Sequence, residues 1–231
     1  MIISTVLLDG GGVIIDESDL EKVRGEIIAE ILSDIVPGYS MEWYYSDIEE
    51  AVRSFCPNVY KFVIWKYSMK DRSLFENLYG SHLERWRRRR PSLTLSAGFI
   101  KEATRICKSY KMVIAGRYGH DILDLLAKHS LLNRFAYDFT QDDFAITKPD
   151  PRYFEQIALN AHAKPGECIM VGDRIDKDVI PAKQLGMKTI LIRSGLHRNQ
   201  QPRVPFEIPD IELLTVQGLA DAIDRIAKTC T

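Results

Sequence analysis

The chain has 231 residues, with 31 Lys and Arg against 32 Asp and Glu and a formal net charge of −1. At about 150 residues per domain this is more than one ordinary domain, and the charge balance excludes a global field that would draw the chain to nucleic acid or a membrane surface. A hydrophobic share of 45% excludes disorder as the main state. Cys56, Cys107, Cys168 and Cys230 are too widely spaced for a zinc knuckle or a disulfide framework, which fits a reducing compartment.

The first apolar run is short, lacks a basic leader and meets Asp9 directly, so it reads as a buried strand over Thr5–Leu8 rather than a signal peptide. No stretch approaches the roughly 18 apolar residues of a membrane span, and a cytoplasmic location is expected. The stretch 16–91 then changes character. It shows no clear strand and reads as helices over 20–35, 41–55, 59–66 and 73–90, punctuated by Pro37-Gly38, Pro57 and Pro91. Ser73 and Glu76 have capping-box spacing, and Asp16 reads as the cap of the first helix with Glu17 in its first turn.

The last of these helices ends in 85–90, five arginines around Trp86. Such a run is favoured at a helix carboxyl end by the dipole and reads first as a solvated face. A patch for a phosphorylated substrate or an acidic partner is the second reading. Nucleic acid is the weakest, because the rest of the chain has no basic bias. Trp43, Trp65 and Trp86 all fall in this helical stretch, where aromatic faces usually serve packing.

Beyond residue 91 apolar runs return at 111–115, 136–139, 168–171 and 189–192. Continuous runs of this kind suit strands buried on both faces. Between them lie helical patterns such as Ile122, Leu125, Leu126 and His129. The expected fold is therefore α/β, a doubly wound parallel sheet. Its core is residues 1–15 plus 92–231, and an all-helical cap over 16–91 is inserted after the first strand.

In open α/β sheets ligands bind outside the carboxyl ends of the strands, so the residues just after each run are the candidates. Asp9 follows the first strand and leads into Gly10-Gly11-Gly12, which lets the backbone turn tightly against a ligand. Gly116 and Arg117 follow the second run. Lys148 stands in Thr-Lys-Pro-Asp-Pro-Arg-Tyr-Phe ahead of a helix, and Gly172-Asp173 with Asp178 follows the run at 168–171. Singly, a strand-end Asp is as often a helix cap, and a lysine is most often a surface residue. Jointly, Asp9 and Asp173 suit a Mg²⁺ ion, and Lys148 suits neutralising both a nucleophile and a phosphate.

In this order the residues resemble the haloacid dehalogenase superfamily, over nearly the whole chain. Its first motif, Asp-x-Asp-x-Thr/Val, is matched by Asp9-Gly10-Gly11-Gly12-Val13. Its lysine motif is matched by Lys148–Pro151 with Tyr153-Phe154, and its Gly-Asp-x-x-x-x-Asp motif by Gly172, Asp173 and Asp178, continued by Ala182 and Gly186. The helical insertion is similar to the family's first-type cap. The resemblance implies Asp9 as a nucleophile that forms an aspartyl-phosphate. It implies Mg²⁺ held by Asp9, the Gly11 carbonyl and Asp173, with Asp178 supporting the metal, and Gly116 and Lys148 facing the phosphoryl group. Arg117, beside Gly116, is a candidate phosphate contact whose plainer reading is a solvated loop residue.

Two positions depart from the family pattern. Gly11 replaces its general acid/base aspartate, and Gly116 replaces its phosphoryl-binding Ser/Thr. A general acid is typically worth about 10²–10⁴ in rate, so leaving groups that depart as weak bases are expected to be favoured. Asp16, Tyr118 and His120 stand nearby as substitutes, although capping or core contacts are the plainer expectation for each. The resulting expectation is a Mg²⁺-dependent phosphatase, monomer or homodimer, acting on a small phosphorylated metabolite. The alternative is an attenuated member that binds a phospho-ligand or protein partner. Halide release needs no metal site of the Asp173–Asp178 kind, and no lysine of the cap stands out for phosphonate chemistry through a Schiff base.

Overall fold

Seven strands run in chain order as β1 (Thr5–Leu8), β2 (Ile15–Asp16), β3 (Thr94–Leu95), β4 (Lys111–Ile114), β5 (Cys168–Gly172), β6 (Lys188–Ile192) and β7 (Ile211–Leu213). This computed structural model describes residues 2–116, 118–136 and 143–230, and strand and helix statements refer to those. Five strands form one parallel sheet in the order β4-β1-β5-β6-β7. Every residue of β1 and β5 is buried, as expected for apolar strands covered on both faces. The expected strands at 111–115, 168–171 and 189–192 are β4, β5 and β6 to within a residue. Of the one expected at 136–139, residues 137–139 lie outside the described residues. Phe135, just before it, bridges Met112.

The chain divides into two compact units, Met1–Asp16 with Leu93–Thr231, and Glu17–Ser92. In the sheet unit, β2 and β3 pair antiparallel, with Ile15 opposite Leu95 and Asp16 opposite Thr94. They tie together the two ends from which the helical unit departs. Around the sheet lie α5 (Phe99–Ile106), α6 (Asp121–Lys128), α7 (Pro151–Asn160), α8 (Ile180–Gln184) and α9 (Leu219–Thr229). Tyr153, Phe154 and Ile157 of α7 pack with Leu7, Val113 and Met170 of the sheet in one buried cluster.

The helical unit consists of α1 (Ser18–Ser33), α2 (Met41–Arg53), α3 (Val59–Tyr67) and α4 (Arg72–Arg89). Its core is built from Ile27, Ile28, Ile31, Tyr44, Ile48, Val63 and Ile64. Gly25 is required where Tyr44 crosses α1, because a Cβ there would lie 2.6 Å from the tyrosine ring.

Two expected caps are corrected. Asp71, not Ser73, caps α4, and its carboxylate accepts from Leu74 N at 3.0 Å. The helix starts two residues earlier than the capping-box spacing implied, and Glu76 instead pairs with Arg72 at 2.8 Å. Asp16 belongs to β2, and Glu17 takes the cap position of α1 without a side-chain cap bond.

The arginine run is only partly a solvated face. Arg89 reaches Glu30 of α1 at 2.7 Å, and Arg85 reaches the same carboxylate at 3.4 Å. The Arg24 guanidinium of α1 lies 4.0 Å from the centre of the Trp86 ring. The run thus fastens α4 to α1 through charge and a cation–π contact. Trp43 and Trp65 are half exposed. Among the described residues no helix is long and apolar enough to cross a membrane.

Candidate active site at the carboxyl edge of the sheet

Strand register assembles the site. Leu8 of β1 lies opposite Ile114 of β4 and Val171 of β5. The ladder continues one residue further, with Asp9 N donating to Val171 O at 2.9 Å and Ala115 N donating to Leu8 O at 2.7 Å. The next residues on the three strands, Asp9, Gly116 and Gly172-Asp173, therefore emerge at one edge.

Lys148 arrives from the turn before α7, which is anchored by the buried Tyr153 and Phe154. Asp150 caps that helix by accepting from Arg152 N at 2.9 Å, with Pro151 in its first turn. The Lys148 ammonium donates to Asp9 Oδ1 at 2.8 Å and to Asp178 Oδ1 at 2.6 Å. Their side chains are only 6%, 13% and 1% exposed for Lys148, Asp9 and Asp178. Gly10 N donates to Asp9 Oδ1 at 2.8 Å, and Arg174 N donates to Asp178 Oδ2 at 3.0 Å.

Electrostatics follow from this burial. Burial alone would lower the Lys148 ammonium, but the Asp178 and Asp9 carboxylates outweigh it and hold the lysine protonated above its ordinary value. Burial pushes Asp178 up to about 6; Lys148 works against the rise and Asp9 adds to it. Lys177 is pushed down, first by burial and then by Arg174.

Asp9, Asp173 and Asp178 each present a carboxylate oxygen, all within 4.8 Å of one another. Lys148 bonds two of the three and offsets one charge. The remaining excess of hard oxygen donors is the chemistry that Mg²⁺ takes.

Three glycines are needed for this convergence. A Cβ on Gly172 would lie 2.3 Å from the Asp178 carboxylate, and one on Gly116 would lie 2.2 Å from Gly10 N and 2.5 Å from Asp9 Oδ1. Gly12 takes a φ of +68°, a conformation that favours glycine. Its carbonyl accepts from Ser194 Oγ at 2.8 Å.

Of the sequence candidates, Asp9, Lys148, Asp173 and Asp178 come together, with Gly116 against Asp9 and Gly11 in the turn after it. Arg117 lies outside the described residues. The Tyr118 ring lies beside Gly10, where a Cβ would meet it at 2.7 Å. His120 is exposed and stands at the cap position of α6, as expected, but without a side-chain cap bond. Asp16, on β2, is exposed and paired through its backbone with Thr94. Ser194, just beyond β6, was not among the sequence candidates, and its contact with Gly12 has no signal in sequence spacing.

Comparison with known proteins adds three findings. A family model described as HAD-hydrolase-like matches residues 145–215, the stretch that carries Lys148, Asp173 and Asp178. Glyceraldehyde 3-phosphate phosphatase of Methanopyrus kandleri is 36% identical over 87 residues, 38% of this chain and 37% of that protein. Phosphoserine phosphatase of Thermus thermophilus is 29% identical over 133 residues, 56% of this chain and 50% of that one. The chain thus covers half or less of the length of these two curated relatives.

Among solved structures, a conserved haloacid dehalogenase-like protein of unknown function from Agrobacterium tumefaciens superposes with a TM-score of 0.70. It is 19% identical, with 97% of this chain and 99% of that one covered. A HAD phosphatase from Thermococcus onnurineus gives 0.59 at 22% identity, covering 96% and 98%. These two likenesses concern the fold. The chain is thus similar to haloacid dehalogenase-like proteins in fold throughout, and in sequence over the stretch that carries its lysine and acidic motifs.

Proposed function

We propose that the protein is a Mg²⁺-dependent phosphatase of a small phosphorylated metabolite, working through an aspartyl-phosphate on Asp9. The observation that carries this reading is the Asp9–Lys148–Asp178 chain of bonds at 2.8 and 2.6 Å. It joins one partly accessible carboxylate to a buried ammonium and a buried acid. Relatives named as phosphatases, of glyceraldehyde 3-phosphate and of phosphoserine, support the reaction class.

Asp9 Oδ attacks phosphorus, the P–O ester bond breaks, and the leaving oxygen departs with the bonding pair. Water then attacks phosphorus of the acyl phosphate, which frees the Asp9 carboxylate and phosphate. Lys148 orients Asp9 through their 2.8 Å bond and lowers the repulsion between the carboxylate and an incoming phosphate dianion. Asp9, the Gly11 carbonyl and Asp173 would hold Mg²⁺, with Asp178 in support; the ion would supply charge neutralisation for the phosphoryl oxygens. Gly11 brings no carboxyl group to protonate the leaving oxygen. Phosphates whose leaving group is already a weak base, such as aryl, acyl or anomeric sugar phosphates, are therefore the favoured class.

The test is phosphate release from para-nitrophenyl phosphate with and without Mg²⁺, beside Asp9→Asn. Mg²⁺-dependent release that disappears in Asp9→Asn is expected, with an aryl phosphate turned over orders of magnitude faster than an alkyl one. Release no greater than the Asp9→Asn background would favour a protein that binds a phospho-ligand without turnover. Equal rates on aryl and alkyl esters would sink the leaving-group argument.

A further inference from the structure

Asp173 and Asp178 stand at the two ends of a short irregular segment, Arg174 followed by a single π-type turn over Ile175–Val179. The first amides of such a turn have no partner within it, so something outside must hold it. That partner is Gln200, from the loop after β6 and only 1% exposed. Its Oε1 accepts from Ile175 N at 2.6 Å, and its Nε2 donates to Asp176 Oδ1 at 3.0 Å. Asp176 in turn accepts from the Arg174 guanidinium at 3.0 Å and 2.7 Å. The backbone N–H of Arg174 donates to Asp178 Oδ2 at 3.0 Å, and Asp178 meets Lys148. Gln200 is itself held by its own N–H bond to His197 O at 2.9 Å and by Arg193, which donates to its carbonyl oxygen.

We propose that Gln200 is a positioning residue for the acidic cluster. Its amide fixes the turn between Asp173 and Asp178, and so fixes how those two carboxylates converge with Asp9. Both ends of the amide are used, one on the backbone and one on a side chain, so the turn is fixed in position as well as in rotation. The consequence for Mg²⁺ rests on the metal reading given above. Mg²⁺ demands near-ideal octahedral geometry, so a small displacement of the turn costs affinity. Partners behind metal-site residues are typically worth 10- to 100-fold in affinity.

The test uses the full chain with Gln200→Leu, which keeps bulk and removes both hydrogen bonds. Gln200→Asn, which withdraws the amide by one methylene, is the milder second variant. Thr189→Val is the control, since Thr189 is equally buried but bonds Asp210 on the far side of β6. Mg²⁺ binding is read by calorimetry, and amide exchange of 174–179 by mass spectrometry. Gln200→Leu and Gln200→Asn are expected to weaken Mg²⁺ binding about tenfold or more and to speed exchange in 174–179 alone. Thr189→Val is expected to do neither, even where it lowers the melting temperature as much.

Unchanged exchange in 174–179 in either folded variant overturns the proposal. So does Mg²⁺ binding within twofold of the parent, or equal weakening by Thr189→Val. A parent protein that takes up no Mg²⁺ would defeat the metal reading instead, and the exchange measurement alone then decides whether Gln200 holds the turn.

Discussion

At the scale of single residues, two glycines that depart from the family pattern differ in kind. Gly116 is enforced by its surroundings, since a Cβ there would sit 2.2 Å from the Gly10 backbone nitrogen, and backbone cannot step aside as a flexible side chain can. Restoring a hydroxyl with Gly116→Ser is therefore expected to lower kcat/KM on para-nitrophenyl phosphate by about tenfold or more, as misplacement of reacting groups does. A gain in steady-state rate would show that the close approach relaxes freely. The Gly11 backbone does not take the positive φ of Gly12, so its conformation does not itself favour glycine. Gly11→Asp is expected to narrow the gap between aryl and alkyl phosphates, because a general acid helps poor leaving groups most. A ratio unchanged from the parent would mean that the new carboxyl does not reach the leaving oxygen.

At the scale of elements, one helix start is secured by a residue far away in the chain. α9 begins after Gly218, which has no side chain to cap it. The buried Glu102 of α5 does the work instead, accepting from Ala220 N at 2.9 Å. Removing it leaves a buried amide without a partner, so Glu102→Ala is expected to cost about 1–3 kcal/mol in urea unfolding, with Glu102→Gln retaining most of that. Equal stability of the alanine variant and the parent would argue that water replaces the carboxylate. The same reasoning explains why the arginine run was only half legible. A helix-end run of Arg signals a favourable dipole interaction whatever surrounds it, but Glu30, some 55 residues earlier, becomes its partner only once α1 and α4 are packed.

At the scale of the whole molecule, a net charge of −1 leaves little long-range repulsion near neutrality, so acid sensitivity should come from particular buried groups. His82 in the helical unit and His197 in the sheet unit are both buried, and each has a ring nitrogen without a hydrogen-bond partner. Burial lowers them to about 4 and about 3, with Arg24 and Arg174 adding to the effect. In the unfolded chain an imidazole protonates near 6.5, so between that value and the folded one the unfolded state binds more protons. Stability is fully present above about pH 6.5 and falls as pH drops toward 4, by about 3 kcal/mol for His82. His82→Phe fits among Tyr60 and Tyr79 and is expected to shrink the difference in melting temperature between pH 7.5 and pH 4.5. An undiminished difference would assign the acid sensitivity elsewhere.

By itself the sequence determined the parallel core and the residues that meet at its edge. Apolar runs with Asp or Gly at their ends are local patterns, and a run apolar at every position needs burial on both faces, which a parallel sheet covered by helices provides. It equally indicated helices where α1 to α4 lie, between Ser18 and Arg89. It did not reveal β7, whose residues are only partly buried and alternate with Glu212, nor the two-residue pairing of β2 with β3. Nor did it reveal what holds the site together. Ser194 bonds Gly12 across 182 positions and Gln200 bonds Ile175 across 25, and neither contact leaves a mark in periodicity or spacing. Whether Gly116 was a lost hydroxyl or a required gap was settled only by the approach of Gly10 and Asp9 to within 2.2 and 2.5 Å of its missing Cβ. Local chemistry selects the residues and the strands, but steric closeness and long-range hydrogen bonds exist only after the chain has closed on itself.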